Sequence, residues 1–178
     1  MGSAFSAETW PGKPGLAKCD RFYRLFAGER LLAEGRTEWA VQDLETGMVR
    51  RTDSFGYPLT LPYRPDRVCD GAFTRFRDAD ITSMEPVRIY AVDPMDIDTG
   101  HHMNNTAYIR MLLGTFSTAE LNAMQVSEIE ISYRRGCFEG EILSIYRRRE
   151  NGVWSFDVKK PDGETAVHAL VKTEQQGS

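Results

Sequence analysis

A short polar segment, from Asp96 to Asn105, constrains the fold of this chain more than any other feature. It holds two carboxylates, two imidazoles and two carboxamides within ten residues. An alternating strand pattern precedes it, from Pro86 to Val92, and an apolar pattern with helical spacing follows it, from Asn104 to about Gly114. A polar loop between a strand and the start of a helix can present side chains and free N–H groups to one ligand. The segment therefore predicts a strand–loop–helix unit with a functional site at the loop.

The chain after this unit has the pattern of a short helix and an antiparallel meander. The sequence Ser117-Thr118-Ala119-Glu120 predicts a capping box that opens a helix ending at about Met124. Asn151-Gly152 is a strong signal for a two-residue hairpin, and Pro161-Asp162-Gly163 predicts the next turn. The strands that these turns separate are predicted over residues 126–135, 141–150, 153–160 and 164–173. This order predicts an α+β fold with an antiparallel sheet wrapped around one central helix.

The first part of the chain is predicted to hold strands only. Strand candidates run from Arg21 to Phe26 and from Arg30 to Asp43, with a turn at Gly28-Glu29 between them. The next thirty residues are rich in proline, glycine and charge, which is typical of an irregular connector. We therefore expect a partial N-terminal unit over residues 1–50, a connector over 51–80 and a complete domain over 81–178.

Composition excludes several classes of function. The chain has 178 residues, a net charge of −4 and 41% hydrophobic residues, which suits a globular protein and gives no sign of nucleic-acid or membrane binding. Its three cysteines are too few and too scattered for a disulfide framework or a metal site, so we expect free thiols and no metal. The N-terminus lacks the pattern of a secretory signal. We therefore expect a cytoplasmic protein.

The residues from Asp98 to Tyr108 resemble the fatty acyl–acyl-carrier-protein thioesterase family. The stretch from Tyr133 to Cys137 at the end of the next strand supports the resemblance, and weaker similarity extends upstream through residues 8–12 and 34–46. The resemblance implies a hot-dog fold with two repeats. The first repeat is incomplete in this sequence, because the similarity begins at the strand that contains Glu8-Thr9-Trp10-Pro11. The open sheet edges of such a repeat favour self-association, so we expect a homo-oligomer.

The resemblance also implies an activity: hydrolysis of fatty acyl–acyl-carrier-protein thioesters to free fatty acids, without a cofactor. It implies Asp98, His102 and Cys137 as catalytic residues. The substrate and the oxyanion would be bound near the helix start, by Met103, Asn104, Asn105, His101 and Tyr108. The sequence departs from the family at Gly100, where Asn is usual, and at Gly136, where Glu or another polar residue is usual. The Asn and Glu roles therefore do not carry over.

Each of these residues also has a structural interpretation. Asp98 can cap a turn through its side chain, and His102 can be a buried imidazole bonded to the backbone. Cys137 can be a small buried apolar residue in the wall of the site. Asn104 and Asn105 are good helix caps, and His101 can lie at the surface.

The sequence leaves open which carrier the substrate has and whether the protein is catalytic. Arg134, Arg147 and Arg149 can form a basic rim that attracts an acidic carrier protein, or they can be solvated residues on alternate faces of a strand. An acyl-CoA thioesterase would use the same site for a different carrier. The glycines at 100 and 136 also leave open a non-catalytic protein that binds fatty acyl groups.

Overall fold

The computed structural model describes residues 4–43, 45–56, 62–78 and 84–175. The chain divides into two compact units, Met1–Ala72 and Phe73–Ser178. The division falls inside the segment that we interpret as a connector. Thr52 in that segment is buried, and its hydroxyl donates a hydrogen bond of 2.7 Å to the carbonyl of Gly15.

The first unit is a three-stranded antiparallel sheet in the order β1-β2-β3. Trp10 of β1 and Phe22 of β2 pack together with Val68 in a small core. The strands predicted in this unit are present, although β2 begins earlier than expected and β3 ends earlier. Their bounds are Phe5–Pro11 for β1, Lys18–Ala27 for β2 and Arg30–Ala40 for β3.

The second unit has a five-stranded antiparallel sheet in the order β4-β6-β7-β8-β5, with two helices between β4 and β5. This arrangement confirms the predicted α+β class. The strands are β4 Arg88–Ala91, β5 Met124–Tyr133, β6 Ile142–Glu150, β7 Val153–Lys159 and β8 Thr165–Gln175, and the helices are α1 Asn105–Leu113 and α2 Thr118–Ala123.

The core of the second unit lies between α1 and one face of this sheet. From α1 it contains Tyr108, Met111 and Leu112, which are almost fully buried. Large apolar side chains of this kind each stabilise the fold by about 1.5–3 kcal/mol when they leave water. Their partners on the sheet include Leu143, Ile145, Phe156, Val158, Val167 and Val171.

Local signals in the sequence place the ends of the helices and the sharpest turn. The Asn104 side chain accepts hydrogen bonds from the N–H groups of Thr106 and Ala107, so it caps α1 as predicted. Ser117 and Glu120 form the predicted capping box of α2. Asn151 and Gly152 have φ values of 49° and 80°, as the predicted tight hairpin between β6 and β7 requires.

The end of β5 differs from the prediction, and the difference shapes the site. The strand stops at Tyr133 rather than Arg135. The N–H groups of Arg134 and Arg135 both donate to the carbonyl of Ala166, so the chain leaves the regular ladder there.

Within the described ranges, no helix combines the length and the apolar character needed to cross a bilayer.

Candidate active site

The polar loop is a closed turn with Asp98 and His102 at its two ends. The N–H of Asp98 donates to the carbonyl of His102 at 3.0 Å, and the N–H of His101 donates to the carbonyl of Asp98 at 3.0 Å. Ile97 and Met103 form an antiparallel bridge just outside the turn. His101 has a left-handed φ of 60°, which lets the chain reverse within these few residues. The backbone therefore fixes the spacing of the two candidate catalytic groups.

The buried side chain of Asp96 holds this turn in place through hydrogen bonds. Its side chain is 2% exposed, and its carboxylate accepts hydrogen bonds from the Tyr90 hydroxyl at 2.6 Å and the Arg110 guanidinium at 2.7 Å. Its carbonyl accepts the N–H of Asn104 at 2.8 Å, which ties the loop to the start of α1. Burial and the hydrogen bond to Asp96 raise the pKa of Tyr90 to about 12. The sequence alone does not distinguish this structural carboxylate from its neighbour Asp98.

The carboxylate of Asp98 is exposed, unlike that of Asp96. Its Oδ1 accepts the N–H of Gly100 at 2.7 Å. This contact is the side-chain turn that Asp commonly forms. The second carboxylate oxygen has no hydrogen-bond partner among the described residues, so it is available to a water or a substrate.

The imidazole of His102 is exposed and lies on the same side of the loop as Asp98. A Cβ on Gly100 would lie 3.0 Å from Asp98 Oδ1 and 3.8 Å from His102 Nδ1, so both atoms approach one point. In the part of the chain that the structure describes, no hydrogen bond or ion pair joins the two side chains. A small molecule such as water therefore has room to contact both groups.

Asp98 and His102 both border a cavity of about 220 Å³ between the loop, the start of α1 and the end of β5. The remaining lining mixes apolar, aromatic and basic groups. It consists of Met103, Asn105, Tyr108, Tyr133, Arg134, Arg135 and Gly136. The cavity therefore combines candidate proton-transfer groups with the positive end of a helix dipole.

Three backbone amides at the start of α1 are expected to be free, but only one of them is. The N–H of Met103 donates to the carbonyl of Cys137 at 2.8 Å, and the N–H of Asn104 donates to Asp96 at 2.8 Å. The N–H of Asn105 has no acceptor among the described residues, and Asn105 lines the cavity. Among the described residues, this amide therefore keeps its capacity to donate a hydrogen bond.

Tyr108, which lines the cavity, is hydrogen-bonded to Cys137. The hydroxyl of Tyr108 accepts the N–H of Cys137 at 3.1 Å, and burial raises the pKa of Tyr108 above its ordinary value. The Cys137 side chain is fully buried and does not line the cavity. Burial also raises the pKa of its thiol, which disfavours the thiolate that a nucleophile needs.

Tyr133 also lines the cavity, although the sequence gives it no role there. Its hydroxyl donates to the carbonyl of Asn105 at 3.2 Å, and its ring makes an edge contact with Tyr108 at a centroid distance of 5.5 Å. Burial raises the pKa of Tyr133 to about 12. It therefore remains a neutral hydrogen-bond donor at physiological pH.

A second Asp–His pair is buried within the sheet. Asp157 and His168 are cross-strand partners of β7 and β8, and His168 Nδ1 lies 2.8 Å from Asp157 Oδ1. The two atoms do not have the geometry of a hydrogen bond, and Asp157 Oδ1 has no hydrogen-bond partner among the described residues. The other ring nitrogen, Nε2, faces Asp78 at 3.6 Å across the floor of a larger cavity of about 480 Å³.

The three candidate carrier-binding arginines have different surroundings. Arg134 borders both cavities, and its guanidinium donates a hydrogen bond of 3.4 Å to the carbonyl of Phe76, with no other hydrogen bond or ion pair among the described residues. Arg147 is 15% exposed, and its guanidinium lies 4.3 Å from the ring centroid of Phe116 and 4.7 Å from that of Trp154. Arg149 is exposed beside Trp154. The structure therefore does not bring the three together as one basic rim.

No group of three or more His, Cys, Asp or Glu side chains is arranged to bind a metal ion within the described ranges. The side chains that line the 220 Å³ cavity include groups capable of proton transfer and hydrogen bonding.

Comparisons with known proteins agree with this architecture. The model of the acyl-ACP thioesterase C-terminal domain matches residues 80–176. A crystal structure of an acyl-ACP thioesterase from Bacteroides thetaiotaomicron superposes with a TM-score of 0.79 at 21% identity, covering 96% of this chain and 68% of that one. The 12:0-ACP thioesterase from Umbellularia californica superposes with a TM-score of 0.79 at 16% identity, covering 97% of this chain and 68% of that one. No curated protein shows significant sequence similarity.

These similarities confirm the predicted hot-dog fold. The matched residues 80–176 contain the polar loop, α1 and all the residues that line the 220 Å³ cavity.

Proposed function

Because the chain belongs to the acyl-ACP thioesterase family, we propose that it hydrolyses fatty acyl thioesters of acyl carrier protein to free fatty acid and carrier thiol. The observation that carries this proposal is the 220 Å³ cavity, where Asp98, His102 and the open amide of Asn105 meet. Family membership supports thioester hydrolysis in general. The roles of the individual residues and the choice of carrier are our proposals.

In the proposed reaction, a water molecule attacks the thioester carbonyl while Asp98 accepts its proton. Asp98 lines the cavity, and its Oδ1 is held by the N–H of Gly100. A carboxylate fixed on one side and open on the other can orient the water and then accept its proton. Positioned general bases of this kind contribute about 10²–10⁴-fold to a rate.

His102 delivers a proton to the departing thiolate. Imidazole is suited to this step because it exchanges protons near neutral pH. The His102 ring and the Asp98 carboxylate line the same cavity, and no hydrogen bond or ion pair among the described residues joins them. The proton that water gives to Asp98 can therefore pass to His102 and then to sulfur, which regenerates the site for the next cycle.

The N–H of Asn105 stabilises the negative charge that develops on the carbonyl oxygen. It is the first amide of α1, so the helix dipole adds to its effect. Tyr108 supports this position from within the core. Cys137 acts in the proposal as a buried supporting residue, since its N–H donates to Tyr108 and its carbonyl accepts the N–H of Met103.

The carrier is proposed to approach through Arg134. This guanidinium lies at the cavity and, among the described residues, pairs with no carboxylate. Acyl carrier proteins are acidic, so a cation at the entrance would favour them. Arg149 is a second, more distant candidate. Arg147 is left out, because its charge is used between Phe116, Trp154 and Glu120.

The proposal is tested by thiol release from matched acyl-carrier-protein and acyl-CoA substrates of several chain lengths. We expect the carrier-protein thioesters to be hydrolysed with the higher kcat/KM. Hydrolysis of acyl-CoA alone would favour the second carrier. Tight binding of fatty acid without thiol release would instead favour a non-catalytic acyl-binding protein.

The role of Arg134 is tested with the same substrates. We expect Arg134→Gln to raise KM for the carrier-protein substrate a few-fold and to weaken its dependence on salt, because an ionic contact is lost. Arg51→Gln is a matched control, since Arg51 forms an exposed ion pair with Asp53 in the other unit. Equal effects of the two variants would exclude Arg134 as a carrier contact.

A further inference from the structure

The imidazole of His102 lies between two glycines. On one side, a Cβ on Gly100 would lie 3.8 Å from His102 Nδ1. On the other side, a Cβ on Gly136 would lie 2.7 Å from His102 Cδ2 and 3.5 Å from its Nε2. Two carbon atoms in contact prefer a separation of about 3.5–4.0 Å. The ring therefore occupies space that a side chain at position 136 would need.

The backbone at these glycines does not explain why they are glycines. Neither Gly100 nor Gly136 has a left-handed φ, unlike Gly140, Gly152 and Gly163. An alanine can adopt the backbone conformation at either position. The constraint at position 136 is consequently the volume of the imidazole.

A third contact holds the ring from the direction of β6. The Phe138 ring lies at a centroid distance of 5.0 Å from the imidazole, tilted by 44°. Aromatic pairs prefer such tilted geometries. Phe138 and the two glycines thus define three sides of the space that the ring fills.

We propose that Gly136 is a positioning residue: with Gly100 and Phe138 it forms a slot that holds the His102 imidazole with Nδ1 on the Asp98 side of the cavity. The consequence for hydrolysis rests on the proposed function, whereas the slot itself does not. The proposal gives the absence of a side chain at position 136 a defined role in the site.

An added methyl group at position 136 would displace the imidazole rather than the backbone. The side chain of His102 is exposed and ends in the ring, so it can rotate away at little cost. Restoring an ordinary carbon–carbon contact requires a movement of roughly 1 Å. Misplacing a catalytic group by about 1 Å can lower a rate by about 100-fold. We therefore expect a folded protein with a weakened active site.

The test compares Gly136→Ala with Gly71→Ala. A Cβ at position 71 meets nothing within 4 Å, and φ there is ordinary, so this control has the same chemical change without a neighbour. In the wild-type protein we expect a nuclear Overhauser contact between the imidazole Hδ2 and the Gly136 Hα atoms. In Gly136→Ala we expect a shift of the His102 ring resonances and a weaker contact to Phe138.

Activity provides the second readout. We expect Gly136→Ala to lower kcat by about 10–100-fold with a smaller change in KM, and to keep the melting temperature close to that of the wild type. Gly71→Ala should match the wild type in all three. Unchanged His102 resonances in Gly136→Ala would overturn the slot, whatever the activity.

The two proposals can fail separately. If the wild-type protein releases no thiol, the proposed function fails, while the resonance measurements still decide whether the slot exists. If the ring moves in Gly136→Ala and the rate stays at the wild-type level, the slot exists but Gly136 does not position a catalytic group, and the inference is wrong.

A substitution on the other side of the ring sharpens the assignment. A Cβ on Gly100 would lie closer to Asp98 Oδ1, at 3.0 Å, than to the imidazole. Gly100→Ala should therefore disturb the carboxylate and leave the His102–Phe138 contact in place. Loss of that contact in Gly100→Ala, with retention in Gly136→Ala, would contradict the proposed geometry.

Discussion

Two Asp–His pairs lie on either side of the chain segment that follows β5, and they differ in almost every physical property. Asp98 and His102 are exposed, belong to one closed turn and make no direct contact with each other. Asp157 and His168 are buried, belong to neighbouring strands and lie 2.8 Å apart. The first pair keeps hydrogen-bonding capacity for a ligand. The second is enclosed in the protein, where Asp157 accepts a hydrogen bond from Arg148.

This difference shows that residue type does not identify a catalytic pair. A buried carboxylate beside an imidazole is the usual description of an active site, and here that description fits the pair that our proposal does not use. The pair that lies beside an open amide and a cavity is the exposed one. Exposure to a substrate at the cavity is what distinguishes the exposed pair from the buried pair.

The largest expected effect is on activity, at His102. We expect His102→Asn to lower kcat/KM for thioester hydrolysis by about 10²–10⁴-fold, because the general acid is lost, while stability changes by less than about 0.5 kcal/mol. His168→Asn is the matched substitution in the buried pair, and its folded fraction should keep most of its activity. A comparable loss of activity in both variants would remove the distinction.

The reverse pattern is expected at Asp157. This carboxylate also pairs with Arg148 at 3.1 Å, so removing its charge takes a carboxylate from the buried His168 and from the half-exposed Arg148. We expect Asp157→Asn to lower the free energy of unfolding by about 3 kcal/mol. Urea unfolding measures this value, and kcat is measured where the variant is fully folded. A stable Asp157→Asn protein without activity would mean that the buried pair is catalytic.

A smaller effect is expected from pH, through Asp78 next to His168. Its hydrogen bonds to Thr165 and then to Lys159 lower the pKa of Asp78 from 3.8 to about 2. A lowered pKa means that the carboxylate contributes stability above pH 3.8 and loses it as pH falls towards 2. The side chain is 67% exposed, so solvent screening keeps the contribution modest.

The measurement is the urea midpoint of the wild type and of Asp78→Asn between pH 2 and pH 5. We expect the two curves to converge as the pH falls. A difference that persists at the lowest pH would show that the contact does not depend on the charge of Asp78.

Local features of the fold were predictable from the sequence because they depend on residues close together in the chain. The Asn104 cap, the Ser117–Glu120 capping box and the Asn151-Gly152 turn all occur as predicted. Each of them is decided by hydrogen bonds or φ values within about four residues.

The parts of the site that the sequence could not predict depend on distant residues. The amides of Met103 and Asn104 are engaged by the carbonyls of Cys137 and Asp96, so only Asn105 remains open. The pairing of Asp157 with His168 depends on a hairpin register that shifts at a bulge between Val158 and Lys159. The number of basic residues alone also could not show that the Arg147 guanidinium packs against the rings of Phe116 and Trp154.

The most direct test of the account is the rate of thiol release by Asp98→Asn beside Asp162→Asn. Both carboxylates accept the N–H of the residue two positions later, at 2.7 Å in Asp98 and 2.9 Å in Asp162, and asparagine can keep that hydrogen bond. Only Asp98 borders the cavity with His102. We predict that Asp98→Asn loses about 10²–10⁴-fold in kcat/KM and that Asp162→Asn keeps the wild-type rate. Full activity in Asp98→Asn would contradict the account.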